Sequence, residues 1–384
     1  MQPAVYCTAP WSGLTIRENG NVKTCCVGRK TLLNLNVDSI DNIEKSTVLA
    51  QIRQNMLNGQ PDIENCAGCI KQEQTDGYSS LRNHYNTYYS EFDANQISLN
   101  FIDLRWNNTC NLSCMYCSPM FSSTWADKLN KINLRPVREY QDNLLSWILE
   151  RASHVKEIML VGGEPLLMKQ NYQLLKVLPQ DCRISIITNL SYDLKNLPCL
   201  EDLLSRPANC IIWNVSAENT HQQFEYVRQG ANWNQFVANI EFLQEHWPGT
   251  VSLNMVHSMF NAIDLLDIVK TFTALGIQKF NLLPLEENVA MNVSNMPDPI
   301  RQAALDCLNA TVQYHRDSLH PEDRDLYCIQ GASQLITHLE KLCRESITTK
   351  SAFEQQIAWY DQWSKIGFKD LWPAVIRLTD QYLI

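Results

Sequence analysis

Between residues 96 and 283 the chain alternates between short apolar runs and longer amphipathic ones. The run Q-I-S-L-N-F-I-D-L-R at 96–105 alternates and then turns more apolar, as a strand does on entering a sheet covered on both faces. A helix at 137–152 then precedes a strand at Glu157–Val161, a helix at 171–178 precedes Arg183–Thr188, and a helix near 195–205 precedes Cys210–Val215. Helix 232–246 leads into Val251–Val256, and helix 262–274 into Lys279–Leu283. Strands alternating with helices predict an α/β fold with a parallel sheet and right-handed crossovers. An open doubly wound sheet and a curved barrel both accommodate this order. Polar or glycine-rich residues end nearly every strand: Cys110 to Cys117, Gly162-Gly163-Glu164-Pro165, Thr188-Asn189, Ser216, His257 to Asn261, and Pro284 to Glu287. That punctuation favours a partial (β/α)6 TIM-like barrel with its function at the C-terminal rim.

The flanks read differently. Leu14, Ile16 and Val22 flank a turn at Glu18-Asn19-Gly20, so 13–17 and 21–25 form a small hairpin. Ser39 is placed to cap a helix through the 40s and 50s that buries Ile43, Val48, Ile52 and Met56 and stops at Asn58-Gly59. Residues 71–93 form a polar, tyrosine-rich connector. From Asp298 the spacing of Ala304, Leu305, Leu308 and Val312, then Leu335, Ile336, Leu339 and Leu342, then Phe353, Ile357 and Tyr360 is helical. The expected division is therefore an N-terminal cysteine-rich α+β auxiliary-metal domain at 1–93, the barrel at 94–290 and C-terminal helices at 291–384.

Composition narrows the functional classes. The 41 acidic residues outnumber the 32 basic ones, and no Lys/Arg run marks a phosphate-tracking stripe, so a long nucleic acid is not an expected partner. No stretch approaches the roughly 18 apolar residues of a membrane span, and the N-terminus lacks a signal-peptide pattern, so a cytoplasmic location is expected. In that compartment 14 cysteines are too many for disulfides, and the clustered ones read as metal ligands.

The densest cluster is T-C-N-L-S-C-M-Y-C-S-P at 109–119, where Cys110, Cys114 and Cys117 follow the first barrel strand. Three thiolates around a four-iron cubane leave one iron without a protein ligand, and an open metal position marks a reactive site rather than a structural one. No Cys or His lies between Cys117 and His154. A second set comprises Cys7, Cys25, Cys66 and Cys69, with Cys26 adjacent. Four thiolates make a closed site, suited to zinc or to a fully ligated iron-sulfur cluster, and spacing does not separate the two. The hairpin folds Cys7 and Cys25 toward one end, and the glycine spacing favours Cys25 over Cys26. Cys182, Cys199, Cys210, Cys307, Cys328 and Cys343 stand singly and read as small buried side chains.

The three-cysteine loop resembles the signature of the radical SAM superfamily, C-x-x-x-C-x-aromatic-C, with Tyr116 as the aromatic. The likeness continues through M-L-V-G-G-E-P at 159–165, I-I-T-N-L at 186–190, W-N-V-S-A at 213–217 and G-I-Q-K-F-N-L-L-P at 276–284. It implies a [4Fe-4S] cluster on Cys110, Cys114 and Cys117 whose fourth iron binds S-adenosylmethionine. One-electron reduction then yields a 5'-deoxyadenosyl radical that abstracts a hydrogen atom from substrate. Tyr116, Gly162, Gly163, Glu164, Pro165, Thr188, Asn189, Asn214, Ser216 and Leu283 are the implied cofactor contacts. On the residues alone, paired glycines admit close backbone approach and Glu164 offers charge to an ammonium, yet it serves equally as a structural brace. Asn214 and Ser216 alternate on one strand end and share a face.

The order Cys, Gly-x4-Cys, C-x-x-C resembles the twitch version of the auxiliary-cluster (SPASM-like) domains of that superfamily, here ahead of the barrel. It implies a second, auxiliary [4Fe-4S] cluster, with zinc as the alternative, that accepts the second electron of an oxidation. The implied partners are a small-molecule or peptide substrate and a one-electron reductant such as flavodoxin or ferredoxin. Alternatives are an epimerase, a nucleotide or small-molecule modifying enzyme, and a non-catalytic metal-stabilised binding protein. F-K-D-L-W-P at 368–373 resembles a tail seen with this N-terminal pattern, and its aromatics read as core.

Overall fold

The computed structural model describes residues 6–131, 140–247, 249–285, 291–318 and 350–382, with positions 332, 336, 339 and 340. The chain divides into two compact units: Met1–Asn111, Pro119–Ile187 and Asn196–Ile212 form the first, and Leu112–Ser118, Thr188–Lys195 and Trp213–Ile384 the second. Strands are numbered along the chain.

In the first unit β1 (Gly13–Ile16) and β2 (Asn21–Lys23) form the expected hairpin, Thr15 opposite Lys23, and Gly20 at φ 81° supplies the turn. β3 (Leu33–Asn34) pairs with β2. β1 also runs parallel to β4 (Phe101–Leu104), with Gly13 opposite Phe101, so the hairpin extends the main sheet. β4 pairs in parallel with β6 (Glu157–Leu160), and β6 with β7 (Arg183–Thr188). The helices Gln141–Leu149 and Lys169–Val177 fall where the apolar spacing placed them. Positions 137–139, the expected start of the former, lie outside the described residues.

Three expectations are corrected. The strand expected from 96 begins at Phe101, because Leu99 adopts φ 51° and breaks the extended run. Ser39 caps only a short 3-10 segment, Ile40–Lys45; Ser46, whose side chain accepts from Leu49 N, caps a separate helix Thr47–Leu57. The connector at 71–93 is largely helical, with helices Ala67–Asp76 and Ser80–Tyr88 separated at Gly77, φ 78°.

The second unit holds most of β8 (Ile211–Ser216), with β10 (Thr250–His257) and β11 (Lys279–Pro284). β10 and β11 are parallel, Asn254 opposite Asn281. It also holds a two-stranded ladder absent from the sequence reading, β5 (Ser113–Cys114) against β9 (Arg228–Gln229). Helices Trp233–His246, Leu265–Ala274, Asp298–Ser318 and Lys350–Asp361 follow the predicted periodicity. Leu335 and Leu342 lie outside the described residues, as do 286 and 287 of the last strand-end run. The tail is core: Phe368 and Trp372 stack at 4.7 Å within a cluster containing Met115, Tyr226 and Phe260, and Trp372 Nε1 donates to Phe260 O. The class is α/β, with the parallel strands taken in chain order within each unit, as a partial (β/α)6 barrel requires. No helix among the described residues is long and apolar enough to cross a membrane.

Candidate functional site

The second cysteine set is assembled by packing of distant segments within the first unit. Cys7, Cys25, Cys66 and Cys69 line one cavity together with Tyr6 and Tyr85, and Cys26 is not among its lining residues. The helix Ser80–Tyr88 clamps the Cys7 segment from both sides. Thr8 Oγ1 donates to Tyr85 O at 2.9 Å, Thr8 N to Asn86 Oδ1 at 2.9 Å, and Asn86 Nδ2 to Tyr6 O at 3.1 Å. Cys25 is held in a turn in which Gly28 N donates to its carbonyl. Cys66 is the N-cap of helix Ala67–Asp76 and Cys69 lies in its first turn, so one turn of chain brings both thiols to the cavity. Asp62 accepts from Asn65 N and Lys30 Nζ, bracing the approach to that helix.

Burial, reinforced by the neighbouring thiols, pushes Cys25 and Cys66 up to about 11 and Cys7 higher still. Cys26 is pushed up to about 12 by burial, then by Cys25 and Asp103. It thus feels a cavity thiol, though it does not itself line the cavity that the other four share. Among the described residues no three His, Cys, Asp or Glu side chains converge closely enough for a single metal ion. Four thiols lining one cavity suit a fully ligated iron-sulfur cluster or a tetrahedral zinc.

The three-cysteine loop is fixed by different means at its two ends. In the first unit the carbonyl of Cys110 accepts from Ser123 Oγ at 3.2 Å and Thr124 Oγ1 at 2.6 Å, and Cys110 N donates to Ser123 Oγ. Thr109 O accepts from Glu164 N at 2.8 Å, tying this loop to the Gly162-Gly163 segment. A Cβ on Gly163, at φ 48°, would lie 2.1 Å from Thr109 O, and one on Gly162, at φ 79°, 2.6 Å from Arg105 Cβ. The paired glycines are therefore required by packing of one loop on the other. Glu164 is buried and its Oε1 accepts from Leu166 N, so it braces the turn Pro165–Leu167. Trp106 and Asn171, which the sequence reading missed, complete the clamp: Trp106 Nε1 donates to Asn171 Oδ1, and Asn171 Nδ2 to Pro165 O.

In the second unit the β5–β9 ladder sets Cys114 opposite Arg228, and Met115 N donates to Val227 O. Arg228 grips Glu218 through two bonds, Nε to Oε2 at 2.8 Å and Nη2 to Oε1 at 2.9 Å. Its Nη2 also donates to Tyr116 OH at 2.6 Å, and Nη1 lies 4.0 Å from Cys114 Sγ. Burial alone would push the guanidinium down, but Glu218, Tyr116 and Cys114 raise it above the ordinary arginine value. Burial raises the Cys114 thiol, and Arg228 opposes that rise. A buried cation beside one thiol of the motif favours its thiolate form. Neither Arg228 nor Glu218 was marked by the sequence reading.

Of the remaining expected contacts, Thr188 Oγ1 accepts from Leu190 N, and Asn189 Oδ1 from Ser191 N and Oγ. Both shape the turn after β7. Asn214 and Ser216 share the less covered face of β8, where Asn214 Oδ1 accepts from Ser252 Oγ. Leu283 is half exposed near the end of β11. Cys182, Cys199 and Cys210 are buried single cysteines, while Cys328 and Cys343 lie outside the described residues.

Comparison with known proteins agrees with this chemistry. The family model described as the radical SAM superfamily matches residues 105–272, and that of SPASM, an iron-sulfur cluster-binding domain, matches residues 7–70. A GTP 3',8-cyclase of Listeria monocytogenes serotype 4b is 23% identical over 160 residues, 41% of this chain and 45% of the cyclase. A 7-carboxy-7-deazaguanine synthase of Clostridium acetobutylicum is 37% identical over 89 residues, 23% of this chain and 36% of the synthase. The chain thus spans less than half the length of these curated relatives. The solved structure "Native anSMEcpe with bound AdoMet" aligns at 14% identity over 60% of this chain and 62% of that one, with a TM-score of 0.41.

Proposed function

Starting from a chain that carries a radical SAM domain behind a SPASM iron-sulfur cluster-binding domain, we propose that it is an oxidoreductase. It removes a hydrogen atom from an organic substrate and passes the second electron to its auxiliary centre. The radical SAM domain implies a [4Fe-4S] cluster that binds S-adenosylmethionine, and the SPASM domain implies an auxiliary iron-sulfur cluster. Together, when bound, they supply one-electron chemistry that no side chain offers. Cys110, Cys114 and Cys117 would hold the first cluster, and Cys7, Cys25, Cys66 and Cys69 the second. The observation that carries the reading is the pairing of a three-thiol loop with a separate four-thiol cavity.

The protein's own residues position and shield. Arg228, anchored by Glu218, keeps the Cys114–Tyr116 segment in register and opposes the burial that raises the Cys114 thiol. Gly162 and Gly163 let the Glu164 turn close on the cysteine loop, while Asn214, Ser216 and Leu283 present the β-strand ends to ligand. Support for an electron-accepting auxiliary centre comes from its surroundings. Cys7 and Cys25 pack against the Tyr85, Tyr89 and Phe101 cluster, which also touches Met159 on β6, three residues before Gly162. Residues 1–93 serve the auxiliary centre, 94–290 the radical-forming barrel and 291–384 its helical covering, in a cytoplasmic enzyme supplied by a flavodoxin- or ferredoxin-type reductant.

A peptide substrate is the first choice. A purine-type substrate is the second, favoured by the names of the cyclase and the synthase. Loss of a hydrogen atom, an electron and a proton lowers the substrate mass by about 2 Da, whereas epimerisation leaves it unchanged. The test is anaerobic iron and sulfide analysis of reconstituted protein, with reductive turnover of S-adenosylmethionine. The expected result is two clusters and formation of 5'-deoxyadenosine, abolished in Cys114→Ala with the auxiliary iron retained. Unimpaired cleavage in that variant, or a parent protein that binds only zinc, would refute the proposal.

A further inference from the structure

Tyr85 is fully buried on the wall of the four-cysteine cavity, and among the described residues its hydroxyl has no hydrogen-bond partner. A buried phenol without an acceptor is costly, so its retention calls for something that the cavity holds. The ring is placed deliberately. Its own backbone carbonyl accepts from Thr8, next to Cys7, and β1 carries a glycine where it passes the ring. A Cβ on Gly13 would stand 2.7 Å from both Tyr85 Cε1 and its hydroxyl oxygen. Gly13 has extended backbone angles that any residue adopts, so its smallness serves the ring rather than the chain.

We propose that the Tyr85 hydroxyl donates a hydrogen bond to a sulfur of the auxiliary iron-sulfur centre and thereby raises its reduction potential. The inference rests on the reading of that centre as iron-sulfur. Reduction adds negative charge to the cluster and its sulfurs. A donor aimed at one of them stabilises the reduced form more than the oxidised one, and hydrogen bonds to sulfur are among the determinants of cluster potential. The effect suits a centre that must accept an electron from a substrate radical. Tyr85 is a positioning residue in this scheme, since it acts through the cluster and touches no reacting atom.

The experiment uses the full-length chain with Cys114→Ala, so that only the auxiliary centre is loaded, reconstituted anaerobically. Iron and sulfide are counted first, and the midpoint is then read by a redox titration followed by electron paramagnetic resonance. With Tyr85→Phe the iron count should hold while the reduction equilibrium shifts about tenfold toward the oxidised form, which is about 59 mV for one electron. After exchange into heavy water, a deuteron coupling to the reduced cluster should be present with Tyr85 and lost in the Tyr85→Phe variant. Gly13→Ala keeps the hydroxyl but displaces it, and should move the midpoint the same way; it decides the matter if Tyr85→Phe fails to load. Full iron with an unmoved midpoint and unchanged coupling overturns the inference and leaves the iron-sulfur reading intact. Zinc in place of iron in the Tyr85 parent overturns both.

Discussion

Replacing Glu218 by Gln removes the carboxylate that neutralises Arg228 and leaves a guanidinium buried beside Cys114. The Arg228 side chain is 4% exposed and that of Glu218 0%, and they meet through two bonds of 2.8 and 2.9 Å, so solvent does little to screen the pair. Removing one partner of such a pair costs about 3–5 kcal/mol, because the survivor stays desolvated and unpaired. At about 1.4 kcal/mol per decade, the lower figure is already on the order of a hundredfold in the folded fraction. Arg228→Met should cost a similar amount for the mirror-image reason. The combined Glu218→Leu, Arg228→Met variant leaves no orphan charge, and apolar replacement of whole buried pairs is often close to neutral. A double-mutant cycle in denaturant built from Glu218→Leu, Arg228→Met and their combination should therefore return a coupling of about 6 kcal/mol in magnitude, since each single change costs about 3 kcal/mol or more and the pair close to none.

The same cycle carries a functional reading, because Arg228 also holds Tyr116 and stands opposite Cys114 in the β5–β9 ladder. The stability-restored double variant should still lose iron from the three-cysteine loop while keeping that of the four-cysteine cavity. A coupling below about 1 kcal/mol would refute the electrostatic argument, since that is the range of exposed pairs. Full loading of both clusters in the double variant would refute the positioning role.

Gly163→Ala should destabilise the protein by at least about 1–2 kcal/mol from its left-handed backbone alone. The contact of 2.1 Å with Thr109 O adds to that, so cluster loading on the neighbouring loop should fall as well; urea denaturation together with iron analysis checks both, and wild-type behaviour in both contradicts the loop-packing account. His257 is buried at the end of β10, its Nε2 has no partner among the described residues, and burial depresses it to about 4 from 6.5. A base depressed in the folded state takes up its proton more readily when unfolded, so its contribution is complete above about 6.5 and is lost as pH falls toward about 4, amounting to about 3 kcal/mol at most. His257→Leu should flatten the denaturant stability profile across that window, and an unchanged slope would show that other groups dominate acid sensitivity.

Periodicity located the elements whose stability comes from one apolar face and missed those whose limits are set by single residues. The helix Trp233–His246 was legible because Phe236, Ile240 and Leu243 recur at helical spacing behind an Asn232 cap. The helix Ser80–Tyr88 was not, because its one buried position is Tyr85, set among Asn, His and Arg. Leu81, Tyr85 and Tyr89 at four-residue steps, after a capping serine, were the available signal. The break at Ser46 had a signal too, in a second Ser ahead of an apolar run. The left-handed Leu99 had none: nothing in a leucine announces φ 51°, and the conformation is imposed by the surrounding chain, as where Ser98 N bonds Trp11 O.

The two cysteine sets show how far local sequence reaches. Cys110, Cys114 and Cys117 lie within eight residues, so their spacing already constrains the centre they can hold. What secures them lies elsewhere: Ser123 and Thr124 on the next short helix, and Arg228, 114 positions from Cys114. No periodicity links residues 114 and 228. Their meeting depends on two-residue strands, β5 and β9, too short to carry an alternation. Cys7, Cys25, Cys66 and Cys69 come from three separate segments, and the cavity they share depends on a fourth, the helix bearing Tyr85 and Asn86. Cys25 and Cys26 differ by one position, yet of the two it is Cys25 that lines the cavity, in a turn closed by Gly28 N on its carbonyl. Candidate ligands could thus be named wherever thiols are neighbours in sequence. The groups that set charge and hydrogen bonding around those thiols, Arg228 in one place and Tyr85 in the other, act through contacts that only the folded chain makes.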